Sequence, residues 1–300
     1  MQACAVPAGR RRAAGAWQPF TGGGLARFAD AGMARTLAFV LTFALATGLT
    51  LGWTLHAAWW PVVDRAILEL PEEGPTLGRG RLDWPGVTAG ILADSPHLGI
   101  AVRMDERSPL GRTADLQVEL LPGALRVAGI AGFIEWPWPA HWELSLGRLE
   151  ARAAWEAWRR PVLATAVGAV TALLASAWCL IALALAVPIR ATAFLLRRRT
   201  GLGGCLRLAA AALSGASPVL GLGMAGYALR WLPWPALAVV TGAHLLVACL
   251  QLLWGLLSRP GNDDGPGRPV NPFGADAAAR KRRNRRGNPF GGGGLSGPGD

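Results

Sequence analysis

Polar side chains interrupt the last long apolar stretch of the chain. Thr241, His244 and Gln251 are spaced by three and then seven residues, so they share one face of a helix. Polar side chains at bilayer depth are costly and usually point into a helical bundle. Two interpretations follow. Either the three residues line a path for protons or a small solute, or they form hydrogen bonds between helices, typically worth about 1 kcal/mol or less.

The other reactive residue types are scattered along the chain. No two of the histidines His56, His97, His141 and His244 have metal-ligand spacing, and no pair of cysteines does either. The single lysine, Lys281, excludes a Walker-type phosphate loop, and there is no Gly-x-Ser-x-Gly elbow. We therefore predict a non-enzymatic protein with no metal ion and no cofactor. A membrane-bound enzyme is the least favoured function class.

The positive charge is concentrated beside the apolar stretches. The net charge is +11, yet residues 61–160 carry 11 Arg against 14 Asp and Glu. A basic excess confined to membrane-flanking segments indicates topology rather than nucleic-acid binding, so we expect no DNA partner. Six basic residues near the C-terminus predict binding to anionic lipid headgroups, with RNA as the lesser alternative. They are Arg280, Lys281, Arg282, Arg283, Arg285 and Arg286.

Four charge-free stretches are long enough to cross a membrane. A helix rises 1.5 Å per residue, so about 20 apolar residues cross a hydrocarbon core of about 30 Å. The stretches are Thr36–Ala57, Val162–Val187, Leu208–Leu229 and Ala236–Leu257. The third contains Pro218 and many Gly and Ser residues, which a span packed among neighbours tolerates. The first exceeds the roughly 7–15 apolar residues of a cleavable signal peptide, so we expect it to remain as a span.

Arginines and tryptophans mark opposite ends of these stretches. Basic residues precede the first stretch, join the second to the third and follow the fourth, whereas the 230–235 connection holds only Arg230. The positive-inside rule therefore predicts cytoplasmic termini and a bacterial inner-membrane location. The tryptophans at the predicted outer ends agree with this orientation, because indole rings prefer the headgroup zone. They are Trp53, Trp59, Trp60, Trp155, Trp158, Trp231 and Trp234.

Small residues recur at four-residue spacing in the first two spans. Such stripes let helix backbones approach closely in lipid and predict a tight four-helix bundle rather than a channel. The predicted helix-packing residues are Ala44, Gly48 and Gly52 in the first span, and Ala164, Gly168, Ala172 and Ser176 in the second.

The segment between the first two spans predicts a small cysteine-free domain outside the membrane. Alternating apolar residues at 98–105, and a Pro122-Gly123 turn between two further strands, favour antiparallel β structure. Residues Leu146–Arg159 predict a helix that runs into the second span. The Trp- and Pro-rich segment Gly132–Trp142 is interpreted as a loop against the bilayer, with an aromatic ligand-binding patch as the alternative.

The predicted fold is a four-helix transmembrane bundle with an inserted small α+β domain, mainly antiparallel β, on the extracytoplasmic side. The leader up to residue 32 and the Gly-, Pro- and Arg-rich tail are predicted to be disordered. The domain order is a basic leader (1–35), span one (36–58), the β-rich domain with its stalk helix (59–160), span two (161–188), a basic loop (189–207), span three (208–229), a turn (230–235), span four (236–258) and a basic tail (259–300).

The layout resembles a group of uncharacterised bacterial polytopic inner-membrane proteins. The resemblance lies in Gly80-Arg81-Leu82 followed by Pro85, in the alternating segment Leu98–Asp105, and in the Arg197–Gly204 connection before a Gly- and Ser-rich span. It implies one span, an extracytoplasmic β-rich domain and three further spans, and it implies no catalytic residues.

Two function classes therefore remain open. The first is an envelope anchor or sensor whose outer domain binds a partner, such as another envelope protein, while the bundle holds it in the lipid bilayer. The second is a small permease, or an accessory subunit of a transporter, that uses the polar face of the fourth span. Essential residues should lie on the outer domain in the first class, and at Thr241, His244 and Gln251 in the second.

Overall fold

The computed structural model describes residues 20–105, 111 and 113–261 of the chain. These residues contain four helical segments long and apolar enough to cross a membrane, and two separate β-sheets. The first segment comprises α2 (Met33–Thr54), a π-helical turn (Leu55–Trp59) and α3 (Trp60–Leu68). The second is the 48-residue helix α4 (Arg148–Leu195). The predicted tail from residue 262 onward, including the six basic residues at 280–286, lies outside the described part.

The third segment is broken, although the sequence predicted one span over 208–229. It consists of α5 (Leu202–Gly215) and α6 (Pro218–Ala228), and the fourth segment is α7 (Trp234–Leu257). Pro218 has no backbone N–H and therefore starts a helix more readily than it continues one. The third segment is also the most enclosed of the four, because 61% of its most apolar stretch is buried inside the protein. Its small residues allow α2, α4 and α7 to pack around it.

Part of the leader is folded, in contrast to the predicted disorder. Residues Gly22–Phe28 form a short helix, α1, which buries Leu25 and Phe28 against α5 and α7. Arg259, just after α7, closes this end of the molecule. Its guanidinium binds the carboxylate of Asp30 and donates to the carbonyls of Ala26 (3.1 Å) and Arg199 (2.8 Å). The segment around α1 and the residue that follows the C-terminal end of α7 therefore meet at one end of the helices.

The strands all lie between α3 and α4. A small sheet has the order β2–β1–β8, and a larger one has the order β3–β4–β5–β6–β7. Their bounds are β1 Thr76–Gly78, β2 Arg81–Asp83, β3 Ala89–Asp94, β4 Leu98–Arg103, β5 Leu116–Leu120, β6 Ala124–Gly129, β7 Gly132–Pro137 and β8 Leu144–Ser145. We call residues 76–145 the β domain. The predicted hairpin at Pro122-Gly123 is confirmed, because β5 and β6 pair antiparallel across it.

The described strands are mainly antiparallel, as predicted, and β4 with β5 is the one parallel pair among them. One feature differs from the prediction. The segment Gly132–Trp142 is not simply a loop, since its first half forms the edge strand β7 against β6. Its Phe, Ile and Trp side chains favour a strand, and Pro137 falls at the last position, where the strand ends.

Helices α3 and α4 connect the β domain to the first and second helical segments. On one face of the larger sheet, Val62 and Ala66 of α3 pack against Ala93 and Leu98. Beside this contact, α3 and the start of α4 lie together, with the Trp155 indole N–H donating to Asp64 at 2.7 Å. A helix therefore precedes the domain and another follows it, and the two helices are in contact with each other.

The opposite face of the larger sheet carries a charged row. Glu119 is buried and lies 3.4 Å from the guanidinium groups of both Arg103 and Arg126, and Arg126 also pairs with Glu135. Gln117 donates to Glu119 at 2.9 Å. A buried carboxylate held by two guanidinium groups and an amide has the partners that offset its loss of water.

Candidate functional site

A polar contact joins the β domain to the third helical segment. Asp115 lies immediately before β5, and its Oδ2 accepts a hydrogen bond of 3.1 Å from the hydroxyl of Tyr227 in the last turn of α6. Tyr227 is the only tyrosine in the chain. The two residues are 112 positions apart, so the contact joins two parts of the molecule that folding must bring together.

His97 completes this junction. It lies in the turn between β3 and β4, which Ser95 fixes by accepting from the backbone N–H groups of His97 and Leu98. The imidazole is 4% exposed, and its ring centroid lies 4.4 Å from that of Tyr227. We call His97, Asp115 and Tyr227 the junction cluster.

Burial lowers the pKa of His97, and Arg230 acts in the same direction, against the opposing charge of Asp115. A pKa below the usual 6.5 leaves the imidazole mainly neutral at pH 7. Its Nδ1 lies 3.9 Å from Asp115 Oδ2, beyond hydrogen-bond distance, and neither ring nitrogen makes a hydrogen bond of good geometry among the described residues. The backbone of Ala228 is nevertheless close enough to act on the pKa of His97. A general-base pair needs that hydrogen bond to orient the ring, so the geometry supports a packing contact more than acid–base chemistry.

An apolar cleft of about 340 Å³ opens beside the junction cluster. Strands β6 and β7 and the turn between them form one wall, and the ends of the helical segments form the other. Trp59 belongs to the π-helical turn after α2, and Trp234 is the first residue of α7. The polar lining comes from Asp115 and Tyr227. Such a mainly apolar cleft with a few grouped polar atoms is typical of a ligand site.

The three polar residues of the fourth span have different surroundings. Thr241 is on the exposed surface of α7, where its hydroxyl donates to the Leu237 carbonyl of its own helix at 2.9 Å. His244 is 2% exposed and lies against Trp178, with 6.0 Å between the ring centroids. The two ring nitrogens of His244 make no hydrogen bond among the described residues, and the side-chain oxygen of Gln251 makes none either. The structure therefore directs His244 inward and Thr241 outward.

The two small-residue stripes also differ from each other. In the first span, a Cβ added to Gly48 would lie 2.5 Å from Thr171 Oγ1, and one added to Gly52 would lie 2.6 Å from Val167. Ala44 is fully buried. In the second span, Ala164, Gly168, Ala172 and Ser176 are all exposed on the outside of the helices. The close contact of α2 therefore uses a neighbouring face of α4, not the predicted stripe.

The described residues contain no group of three or more His, Cys, Asp or Glu side chains that could hold a metal ion. The six basic residues predicted to bind headgroups, Arg280, Lys281, Arg282, Arg283, Arg285 and Arg286, lie outside the described residues.

Sequence reasoning missed the junction cluster because its members lie on three separate elements. His97 stood out only as one of four histidines without metal-ligand spacing. The one available signal was Tyr227, a single amphipathic residue near the end of a predicted span, where polar tips meet headgroups or a soluble domain. Nothing in the spacing connects it to Asp115.

Scans against protein-family models, curated proteins and solved structures each found no match.

Proposed function

We propose that this protein is a non-enzymatic membrane anchor whose β domain binds a partner protein on the extracytoplasmic side of a bacterial inner membrane. The observation that carries the proposal is strand β7. It lies at the edge of the larger sheet, it pairs only with β6 among the described strands, and all six of its residues are exposed. An exposed strand edge is a template for an extended segment of another chain.

The side chains of β7 support this proposal. Phe133, Ile134 and Trp136 are each more than half exposed. Aromatic and large aliphatic side chains are the usual anchors of protein interfaces. The added segment would gain backbone hydrogen bonds from the free edge and contacts from these side chains.

The connections of the β domain support a sensing role. The domain is attached through α3 and α4, which continue helically into the first and second spans, and through the hydrogen bond between Asp115 and Tyr227. A partner that shifts the domain would therefore also shift the spans, because helices transmit displacement better than loops. In this proposal both termini are cytoplasmic, and the basic tail binds anionic headgroups.

A permease or transporter subunit is the second candidate function. Its support is His244, a buried histidine without a hydrogen-bond partner among the described residues, together with the unpaired oxygen of Gln251 two turns later. Unpaired polar groups inside a span are typical of proton or solute paths. The exposed position of Thr241 removes one of the three predicted contributors to such a path.

Crosslinking in native membranes, followed by affinity recovery, separates the two functions. If β7 binds the partner, Trp136→Lys should abolish recovery of the crosslinked protein, while His244→Leu should leave it intact. The edge-strand proposal would be rejected if only His244→Leu abolished recovery of the crosslinked protein. It would also be rejected if Trp136→Lys left that recovery unchanged. The permease candidate instead requires that His244→Leu removes a transport phenotype without changing expression or topology.

A further inference from the structure

The cleft beside the junction cluster lies at a defined level of the molecule. Two of its lining residues are at the ends of helical segments, because Tyr227 is in the last turn of α6 and Trp234 begins α7. A third, Trp59, is the last residue of the π-helical turn between α2 and α3. The ends of spans coincide with the membrane–water boundary, where Trp and Tyr side chains are enriched. In a bilayer the cleft therefore lies at the boundary of the leaflet on the β-domain side.

The β6–β7 hairpin forms the other wall and exposes apolar side chains around it. Ile130 is 59% exposed, Phe133 is 63% exposed and Ile134 is 60% exposed. All three line the cleft, and Val127 and Leu116 extend its apolar surface inward. Water in contact with so much grouped apolar surface is unfavourable, whereas hydrocarbon is not. The lining therefore favours an occupant supplied by the neighbouring bilayer.

A cationic group near the cleft is suited to the other end of an amphiphile. Arg230 is exposed near the junction cluster, close enough to act on the charge of His97. An exposed guanidinium matches a phosphate. A phospholipid carries a phosphate next to its acyl chains.

We propose that this cleft binds one acyl chain of a phospholipid from the adjacent leaflet, raised out of the bilayer between the β6–β7 hairpin and the span ends. The volume of about 340 Å³ is at the lower end of the range for small-molecule sites, about 300–1,000 Å³, and suits a chain rather than a folded segment. This site goes beyond the proposed partner binding. The partner needs the backbone edge of β7 and Trp136, whereas the cleft shares only Phe133 and Ile134 with that surface.

Photolabelling of the full-length protein in vesicles tests the site. The probe is phosphatidylcholine with a diazirine at the methyl end of one acyl chain, which in the bulk bilayer stays near the midplane. We expect adducts on the tryptic peptide 127–148, which carries β7, in addition to the lipid-facing peptide 160–190. The peptide 66–79, which runs from the end of α3 through β1 and lines no part of the cleft, should remain unlabelled.

Gly129→Leu should fill the cleft, because Gly129 lines it and an added Cβ would lie 3.7 Å from Leu116. We expect the ratio of label on 127–148 to label on 160–190 to fall by about tenfold, the change that 1.4 kcal/mol of lost affinity produces. Gly123→Leu is the matched control, since an added Cβ there meets no atom within 4 Å, and it should leave the ratio unchanged.

Ile134→Trp fills the same cleft from an exposed strand position and serves if Gly129→Leu fails to fold. Equal label on peptides 127–148 and 66–79 would overturn the proposal, as would a ratio that neither filling variant lowers. Partner recovery measured on Gly129→Leu keeps this result separate from the edge-strand proposal. The lipid site can fail while recovery persists, and recovery can fail while labelling persists.

Discussion

At the scale of single residues, the neutral His97 is the junction's main source of pH dependence. Its imidazole is enclosed by Tyr227, Asp115 and the turn that Ser95 holds, so a proton on the ring would lose most of its hydration. Asp115 offsets part of this cost and Arg230 adds to it. The contact between the β domain and α6 therefore depends on the ring staying uncharged.

We predict that the protein loses stability as the pH falls below about 6.5. The pKa of His97 in the folded state is lower than the 6.5 of an unperturbed histidine. Between these two values the unfolded chain binds more protons than the folded one, so unfolding becomes easier as pH decreases. The contribution is at most about 1.4 kcal/mol per pH unit for one proton, and it vanishes above pH 6.5.

Thermal unfolding of the reconstituted protein from pH 8 to pH 5 measures this effect. His97→Phe keeps a ring against Tyr227 and should flatten the profile below pH 6.5. His141→Phe removes an exposed histidine instead and should leave the profile as it is in the parent protein. Equal slopes for the two variants would mean that other groups cause the pH dependence.

At the scale of elements, the contact between α2 and α4 depends on two glycines of α2. An added Cβ at Gly48 would lie 3.0 Å from the backbone oxygen of Val167, which cannot move aside as a side-chain end can. Gly168 lies one residue further along α4, and an added Cβ there would meet nothing within 4 Å. An added side chain is therefore crowded at Gly48 of α2 but has free space at Gly168 of α4.

Gly48→Leu should destabilise the helical bundle by about 1–3 kcal/mol, the usual cost of overpacking a well-packed contact. Gly168→Leu makes the same chemical change on the outer surface and should be neutral within about 0.5 kcal/mol. Unfolding of both variants in the same detergent gives the comparison. A larger loss for Gly168→Leu would show that the small-residue stripe of α4 does pack against another helix.

At the scale of the whole molecule, the two ends of the helical segments are closed differently. At one end, Arg259 holds α1 and the segment before α5 together, and Arg207 donates two hydrogen bonds to the Ala29 carbonyl. At the other end, the β domain lies on α3, α4 and the last turn of α6. This asymmetry agrees with the arginine distribution, which predicts the basic end to be cytoplasmic.

Labelling with a membrane-impermeant maleimide tests this orientation in cells, after replacement of the native cysteines. We expect Glu73→Cys in the segment before β1 and Trp231→Cys in the turn before α7 to react in intact cells, because both lie at the β-domain end. Ser258→Cys, after α7, should react only once the membrane is permeabilised. Four crossings would be contradicted if Glu73→Cys reacted in intact cells while Trp231→Cys, like Ser258→Cys, reacted only after permeabilisation.

The sequence by itself determined the features that follow from composition. Four stretches free of charge must leave water, and their lengths match a membrane, so Val162–Val187 identifies a span without any knowledge of its neighbours. The hairpin at Pro122-Gly123 was equally local, because its turn residues and flanking strands are adjacent in the chain.

Only the tertiary structure decided which surfaces face each other. Periodicity shows that residues share a face, as with Ala164 and Gly168, but it does not tell whether that face meets a helix or the surroundings. The contacts of Asp115 with Tyr227 and of Asp30 with Arg259 join residues 112 and 229 positions apart. Such pairs form because the packing of whole elements brings them together, and no local preference of the chain encodes that packing.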